Sequence, residues 1–143
     1  GRVVAEQVRE GGWHVIVLDL NPHGVASARR LGFTAFLGDG QHEDILVHAR
    51  VRDAKAVVVT VPAPAVAIHI VRLVRIIAPG AVIVARSRYN RYLSELGDAG
   101  AHVVHDEETH IGNRMSASVL EIPGLPRARD EVNGPEHVGS DAD

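Results

Sequence analysis

Short apolar runs rich in Val and Ile alternate with stretches of helical periodicity along most of this chain, and that alternation limits the fold more than any other feature. A strand that is followed by a helix cannot turn straight back as a hairpin. It must cross over, and repeated crossovers build a parallel sheet with helices on its faces. Val4, Ala5 and Val8 recur at helical spacing before the Gly11-Gly12 break, and His14 to Leu18 is an apolar run that ends at Asp19. Pro22 starts a helix carrying Val25, Ala28 and Leu31 that stops at Gly32. Phe33 to Leu37 reads as a strand, Gly38-Asp39-Gly40 as a tight loop, and Glu43 to Ala49 as a short helix. Ala56 to Val61 is a continuous apolar run, as expected of a central parallel strand buried on both faces.

A helix from about Ala65 to Ile77 is expected to bury Val66, Ile70, Leu73, Val74 and Ile77 and to end at Pro79-Gly80. Ala81 to Ala85 reads as a strand, Tyr89 to Ala99 as a helix and His102 to His105 as a last short strand. Glu107 to about Glu121 is amphipathic, with Ile111, Met115, Val119 and Ile122 on one stripe. From Pro123 the periodicity gives way to Pro, Gly and charge. Residues 1–122 are therefore expected to form one domain, and 123–143 a flexible or disordered tail.

Composition removes several function classes. With 15 basic residues against 18 acidic ones and a single Lys, the chain lacks the clustered positive charge that nucleic-acid backbones require. The absence of Cys excludes a disulfide scaffold and a Cys-ligated zinc. No apolar run approaches the roughly 20 residues needed to cross a bilayer as a helix. Aromatic residues make up only 3%, so the core must be built from Val, Ile, Leu and Ala.

Gly1 opens directly into the first helix, and about twenty residues later an acid, Asp19, ends the next strand. That is the rear half of a dinucleotide-binding βαβ unit, with Gly1 in the place of the third glycine of Gly-x-Gly-x-x-Gly. The expected fold class is α/β, a Rossmann-like doubly wound parallel sheet missing its first strand and most of the glycine-rich loop, and the chain is expected to be a piece of a longer protein. A carboxylate at the tip of that strand overhangs the crevice, where it can accept ribose hydroxyls and repel a 2′-phosphate. NAD or an adenine nucleotide is favoured over NADP; the alternative for Asp19 is a cap on the strand end or on the helix at Pro22. Asn21 reads as a turn residue or helix cap.

Gly38 and Asp39 follow the next strand, where an adenine ring would reach across the sheet and a carboxylate could accept from its amino group; a plain turn is the other reading. Thr60, Val61 and Pro62 end the Ala56 strand, where backbone groups line nucleotide crevices and Pro equally serves as a terminator. Arg86 and Arg88 leave the Ala81 strand at its carboxyl edge, able to pair a phosphate or simply a surface carboxylate. His102, His105, His110 and His42 suggest a metal, but residues three apart on a strand face opposite ways and no Cys assists, so no metal is expected. Glu107 and Glu108 open the last helix, where acids complement the macrodipole. No Gly-x-Ser-x-Gly elbow, no Cys and no His with an orienting acid is apparent, so the pattern points to sensing rather than catalysis.

Taken in order, Gly1-Arg-Val-Val-Ala, Val15-Ile-Val-Leu-Asp19, Asn21-Pro22, Gly38-Asp39, Ala56-Val-Val-Val-Thr-Val-Pro62 and Ile83-Val-Ala-Arg86-Ser-Arg-Tyr89 resemble the Trk-type N-terminal domain, the nucleotide-binding half of the domain that regulates potassium conductance. The likeness covers roughly Gly1 to Ile122 and is nearest to the cytoplasmic tail of Kef-type potassium/proton antiporters. It implies a domain that binds NAD(H) or an adenine nucleotide such as AMP and passes ligand state to an ion pathway. Gly1 and the adjoining Arg2 would belong to the phosphate loop, Asp19 to the ribose, Asp39 to the adenine region, and Arg86 to the ligand crevice or a dimer edge.

The resemblance further implies a homodimer through the last helix, Glu107 to Glu121, and a transmembrane transporter domain in the same chain that holds this one at the cytoplasmic face of the inner membrane. One branch of Kef exchangers is gated by glutathione; Ser87 and Tyr89 depart from that branch's Ala-Arg-Ala-Arg-Asp pattern, and glutathione is not carried over. Two other readings stand beside the antiporter tail: a soluble regulatory subunit of a Trk-type uptake system, and a fragment of an NAD-dependent dehydrogenase.

Overall fold

A computed structural model of the chain describes residues Gly1–Gly124. The tail expected at 123–143 lies, apart from its first two residues, outside the described residues. The chain divides into two compact units, Gly1–Thr109 and the residues from His110 onward. The first unit holds every strand described.

Helix α1 (Arg2–Glu10) begins at Gly1, whose carbonyl accepts from the Ala5 amide at 3.0 Å. Strand β1 (Ile16–Asp19) follows, then α2 (Pro22–Arg30), which is capped by Asn21: its side chain accepts from the His23 amide at 2.9 Å, and Pro22 fills the first helical position. Gly32, at φ +82°, reverses the chain into β2 (Thr34–Leu37). β1 and β2 pair in parallel with Ile16 opposite Thr34 and Asp19 opposite Leu37. The short α3 (Glu43–His48) leads into β3 (Ala56–Val59), α4 (Pro64–Ile77), β4 (Val82–Ser87), α5 (Leu93–Asp98) and β5 (Val103–Asp106). These last strands form a second parallel sheet in the order β3-β4-β5. Alternating strand and helix thus give parallel sheets with flanking helices, as the sequence pattern requires.

The larger core lies between α4 and the β3-β4-β5 sheet, with Val71, Val74, Ile83 and Leu96 fully buried. Leu18 of β1 packs on the same cluster. Val17 of β1 and Val15 just before it turn the other way, joining Ala5 of α1 against Val25, Ala28, Phe33 and Ala35. The period-two alternation of the strand explains how β1 serves both clusters.

Three expectations change. α4 buries a wider face than its spacing predicts: Ala67, Ile68, Ile70, Val71 and Val74 are buried, whereas Val66, Leu73 and Ile77 are only partly covered. The strands from β3 to β5 are not buried on both faces, since Val58, Val82 and Val103 remain 42–46% exposed. Within this unit α4 and α5 cover one side of that sheet only. The segment read as one helix from Tyr89 to Ala99 is instead a short 3₁₀ turn, Asn90–Tyr92, followed by α5.

One arginine ties the amino ends of this sheet to the turns around them. Arg75 donates to the carbonyls of Pro79 and Gly100, each at 2.7 Å, and Gly100 leaves room for it at φ +115°. His102 belongs to the same knot, its Nδ1 accepting from the Ile83 amide at 2.9 Å. Among the described residues no cluster of His, Asp and Glu is arranged to hold a metal ion.

Helix α6 (Glu107–Leu120) starts in the first unit and continues into the second. In the second unit Ile111, Met115, Val119 and Ile122 are each more than half exposed.

Candidate functional site

The carboxyl ends of the strands gather most of the residues that the sequence singles out. Gly1, Arg2 and Asp19 line one cavity of about 250 Å³, together with Ala5, Val17 and Gly24. The amino end of α1 and the tip of β1 therefore share a concave surface. A larger cavity of about 490 Å³, lined by Arg52, Lys55, Pro79 and Gly80, lies at the opposite, amino end of β3 and β4, away from all these residues.

Asp19 is oriented by the chain that follows it. Its Oδ1 accepts from the Asn21 amide at 2.8 Å, an Asx turn that leaves Oδ2 without a hydrogen bond among the described residues. Oδ2 sits over the first turn of α2, where a Cβ at Gly24 would come within 2.3 Å of it, so the glycine there makes room for the carboxylate. Both readings of Asp19 are thus compatible with its position. Arg2 points along its own helix and pairs with Glu6 at 3.5 Å.

Gly38 continues the β1–β2 ladder, donating its amide to the Asp19 carbonyl at 3.0 Å. Asp39 turns its carboxylate back on Gln41: Oδ1 accepts from the Gln41 amide at 2.9 Å, and Oδ2 accepts from the side-chain amide at 3.1 Å. The Gln41 amide hydrogen bond holds the Asp39 carboxyl below its ordinary value, against an opposing desolvation, with help from the Gln41 side chain and the charges of His42 and His69. His69 in α4 lies 3.1 Å from the Gln41 carbonyl and so closes this loop against the helix.

Thr60 follows β3, and its Oγ1 is 3.2 Å from where a Cβ on Gly1 would lie. The Thr60 carbonyl accepts from Arg86 Nη1 at 3.4 Å. On its other side Arg86 forms an ion pair with Glu107, Nε to Oε1 at 2.5 Å. Pro62 lies in an exposed bend ahead of α4. Ser87 is buried and donates to the Tyr89 carbonyl at 2.6 Å, while Arg88 and Arg91 lie against the Tyr89 ring. The geometry therefore joins Gly1, Arg2 and Asp19 in one cavity, Thr60 to Gly1, and Arg86 to Thr60; Asp39 and Pro62 stand on loops at the same edge.

Sequence reasoning missed two contributors. Glu107, for which the sequence suggests only a macrodipole role, is the partner of Arg86 across 21 residues. Asp106 caps α6, accepting from the Glu108 amide at 2.9 Å and the Thr109 amide at 3.2 Å. Hydrogen bonds from Thr109, its side chain first, hold the Asp106 carboxyl below its ordinary value, against an opposing desolvation. An Asp followed three residues later by Thr at a helix start was a signal that could have been read.

Known proteins share both this sequence and this architecture. The family model described as the TrkA-N domain matches residues 1–106. The chain is 37% identical over 90 residues to K(+) efflux antiporter 3, chloroplastic, of Arabidopsis thaliana, a match covering 63% of this chain and 12% of that protein. It is 25% identical over 127 residues to the glutathione-regulated potassium-efflux system protein KefC of Salmonella arizonae, covering 89% of this chain and 20% of that one. The chain thus spans a fifth or less of the length of these curated relatives. Among solved structures, the Kef CTD of Shewanella denitrificans in AMP-bound form superposes with a TM-score of 0.75 at 25% identity, covering 92% of this chain and 79% of that one.

Proposed function

The chain belongs to the TrkA-N domain family, and from that premise we propose that it is the nucleotide-binding regulatory domain of a potassium/proton antiporter. The observation that carries the reading is the single cavity shared by the amino end of α1 and Asp19. A helix amino end offers unpaired amides and a positive dipole to a phosphate, and a carboxylate about one ribose away takes the sugar hydroxyls. The ligand is NAD(H) or an adenine nucleotide such as AMP. At about 250 Å³ the cavity falls just short of the ~300 Å³ at which small-molecule sites begin. It takes the ribose-phosphate part of a nucleotide and leaves the base toward Gly38 and Asp39. The AMP-bound state of the Kef relative supports this choice.

The domain's work is regulation rather than catalysis. A ligand that prefers one arrangement of the domain shifts the transport equilibrium by no more than its differential affinity for the two arrangements. The relatives are a K(+) efflux antiporter and a potassium-efflux system protein, and no helix among the described residues is long and apolar enough to cross a membrane. The ion pathway accordingly belongs to a membrane domain of the same protein, which holds this domain at the cytoplasmic face of the inner membrane. The exposed stripe of Ile111, Met115, Val119 and Ile122 supports a homodimer formed through the last helix.

Calorimetric titration of AMP, NAD and NADH into the whole protein tests the reading. Saturable binding that is weakened by Asp19→Ala is expected. Absence of binding by all three would overturn it.

A further inference from the structure

Arg86 is held by contacts that fall short of what its chemistry allows. Its Nε approaches Glu107 Oε1 to 2.5 Å, yet that buried nitrogen has no aligned acceptor, so the contact is an ion pair without a well-directed hydrogen bond. The remaining donors reach Glu107 Oε2 and the Thr60 carbonyl at 3.4 Å each. A guanidinium carries five N–H donors and makes its strongest pairs through parallel bonds of about 2.7–2.9 Å to a carboxylate or phosphate. Arg86 has donor capacity left over. Its side chain and that of Glu107 are also 35% and 42% exposed, a setting in which an ion pair is weak and readily exchanged.

The position of this pair gives the weakness a use. Thr60, which Arg86 touches on one side, abuts Gly1 at the amino end of α1. Glu107, on the other side, is the first residue of α6. One side chain thus connects the place where an anionic ligand would sit with the start of the last helix.

We propose that Glu107 is an internal competitor for the ligand's phosphate. Without ligand its carboxylate neutralises Arg86. A phosphate seated at the amino end of α1, the better acceptor, takes Arg86 over and releases Glu107. Glu107 is thus a positioning residue that sets the affinity for the phosphate group and registers its arrival at the first turn of α6, while Asp106 keeps that helix end capped.

The inference rests on the nucleotide reading, and one set of titrations separates the two. AMP and, as a phosphate-free probe, adenosine are titrated into the whole protein and into Glu107→Gln, Arg86→Ala and the double variant. Gln preserves the shape of Glu and removes its charge, and thermal melting confirms that each variant is folded. Glu107→Gln is expected to tighten AMP about two- to fivefold, the scale of a half-exposed ion pair, and to leave adenosine unchanged. In the Arg86→Ala background the same substitution is expected to change nothing. Unchanged or weaker AMP binding by Glu107→Gln would overturn the proposal, as would a gain that persists without Arg86. Failure of the unsubstituted protein to bind AMP would overturn this inference; only failure to bind NAD and NADH as well would remove the nucleotide reading.

Discussion

Spacing alone singles out Asp19, the acid that ends the strand after a Gly-led helix, and the structure places it in one cavity with Gly1 and Arg2. What spacing did not reveal is how it is aimed, by the Asn21 amide at one oxygen and by the missing side chain of Gly24 at the other. Asp19→Ala should cost about 1–3 kcal/mol of nucleotide binding, the worth of hydrogen bonds to a charged acceptor; unchanged affinity by calorimetry would refute its role. Asp39 is a second case: the sequence leaves a base contact and a plain turn both open, and the structure shows the carboxylate engaged by Gln41 two residues on. Its folded value lies below the unfolded one of about 3.9. A depressed acid contributes stability that is fully present above the unfolded value and is lost as pH falls through the folded one. Asp39→Asn should therefore lose stability near neutral pH and show a shallower fall in melting temperature below about pH 4. An acid limb identical to that of the parent would contradict this. The Arg86–Glu107 pair was beyond sequence reasoning, since nothing local links residues on different elements before β4 and α6 are brought together.

Among the elements, most strands and helices stand close to where hydrophobic period places them, helped in the first part of the chain by the breaks at Gly11-Gly12, Pro22, Gly32 and Gly38. The lapses occur where tertiary contact overrides period. α4 meets neighbours over more than one side, so Ala67 and Val71 are as deeply buried as the residues on the expected stripe. β4 runs on to Ser87, past the expected end at Ala85, because β5 pairs with it there, Ser87 opposite Asp106. The open side of the β3-β4-β5 sheet gives a direct comparison between adjacent residues of one strand. Ile83 is fully buried and Val82 is 46% exposed. Ile83→Ala should cost about 2–5 kcal/mol by chemical denaturation, the range for a buried aliphatic truncation. Val82→Ala should cost less than about 1 kcal/mol in the isolated protomer. Equal losses would mean that the open side is covered.

Across the whole molecule, the alternation of strand and helix dictated parallel sheets, and the family followed from the ordered set of strand-end motifs rather than from any one of them. Oligomeric state was not legible in the same way, because an apolar stripe on a helix has the same pattern whether it covers its own sheet or a second copy. If the last helix joins two copies, Met115→Asp, at a position 66% exposed, should shift the protein from dimer to monomer in sedimentation analysis. A species distribution unaffected by that charge would place the interface elsewhere. Control of transport by nucleotide at the Asp19 cavity is tested most directly by potassium flux through vesicles containing the whole protein. Flux should change on adding AMP or NAD(H), and the change should be lost in Asp19→Ala at the same concentration of nucleotide. Flux indifferent to nucleotide, or a response that survives Asp19→Ala undiminished, would contradict it.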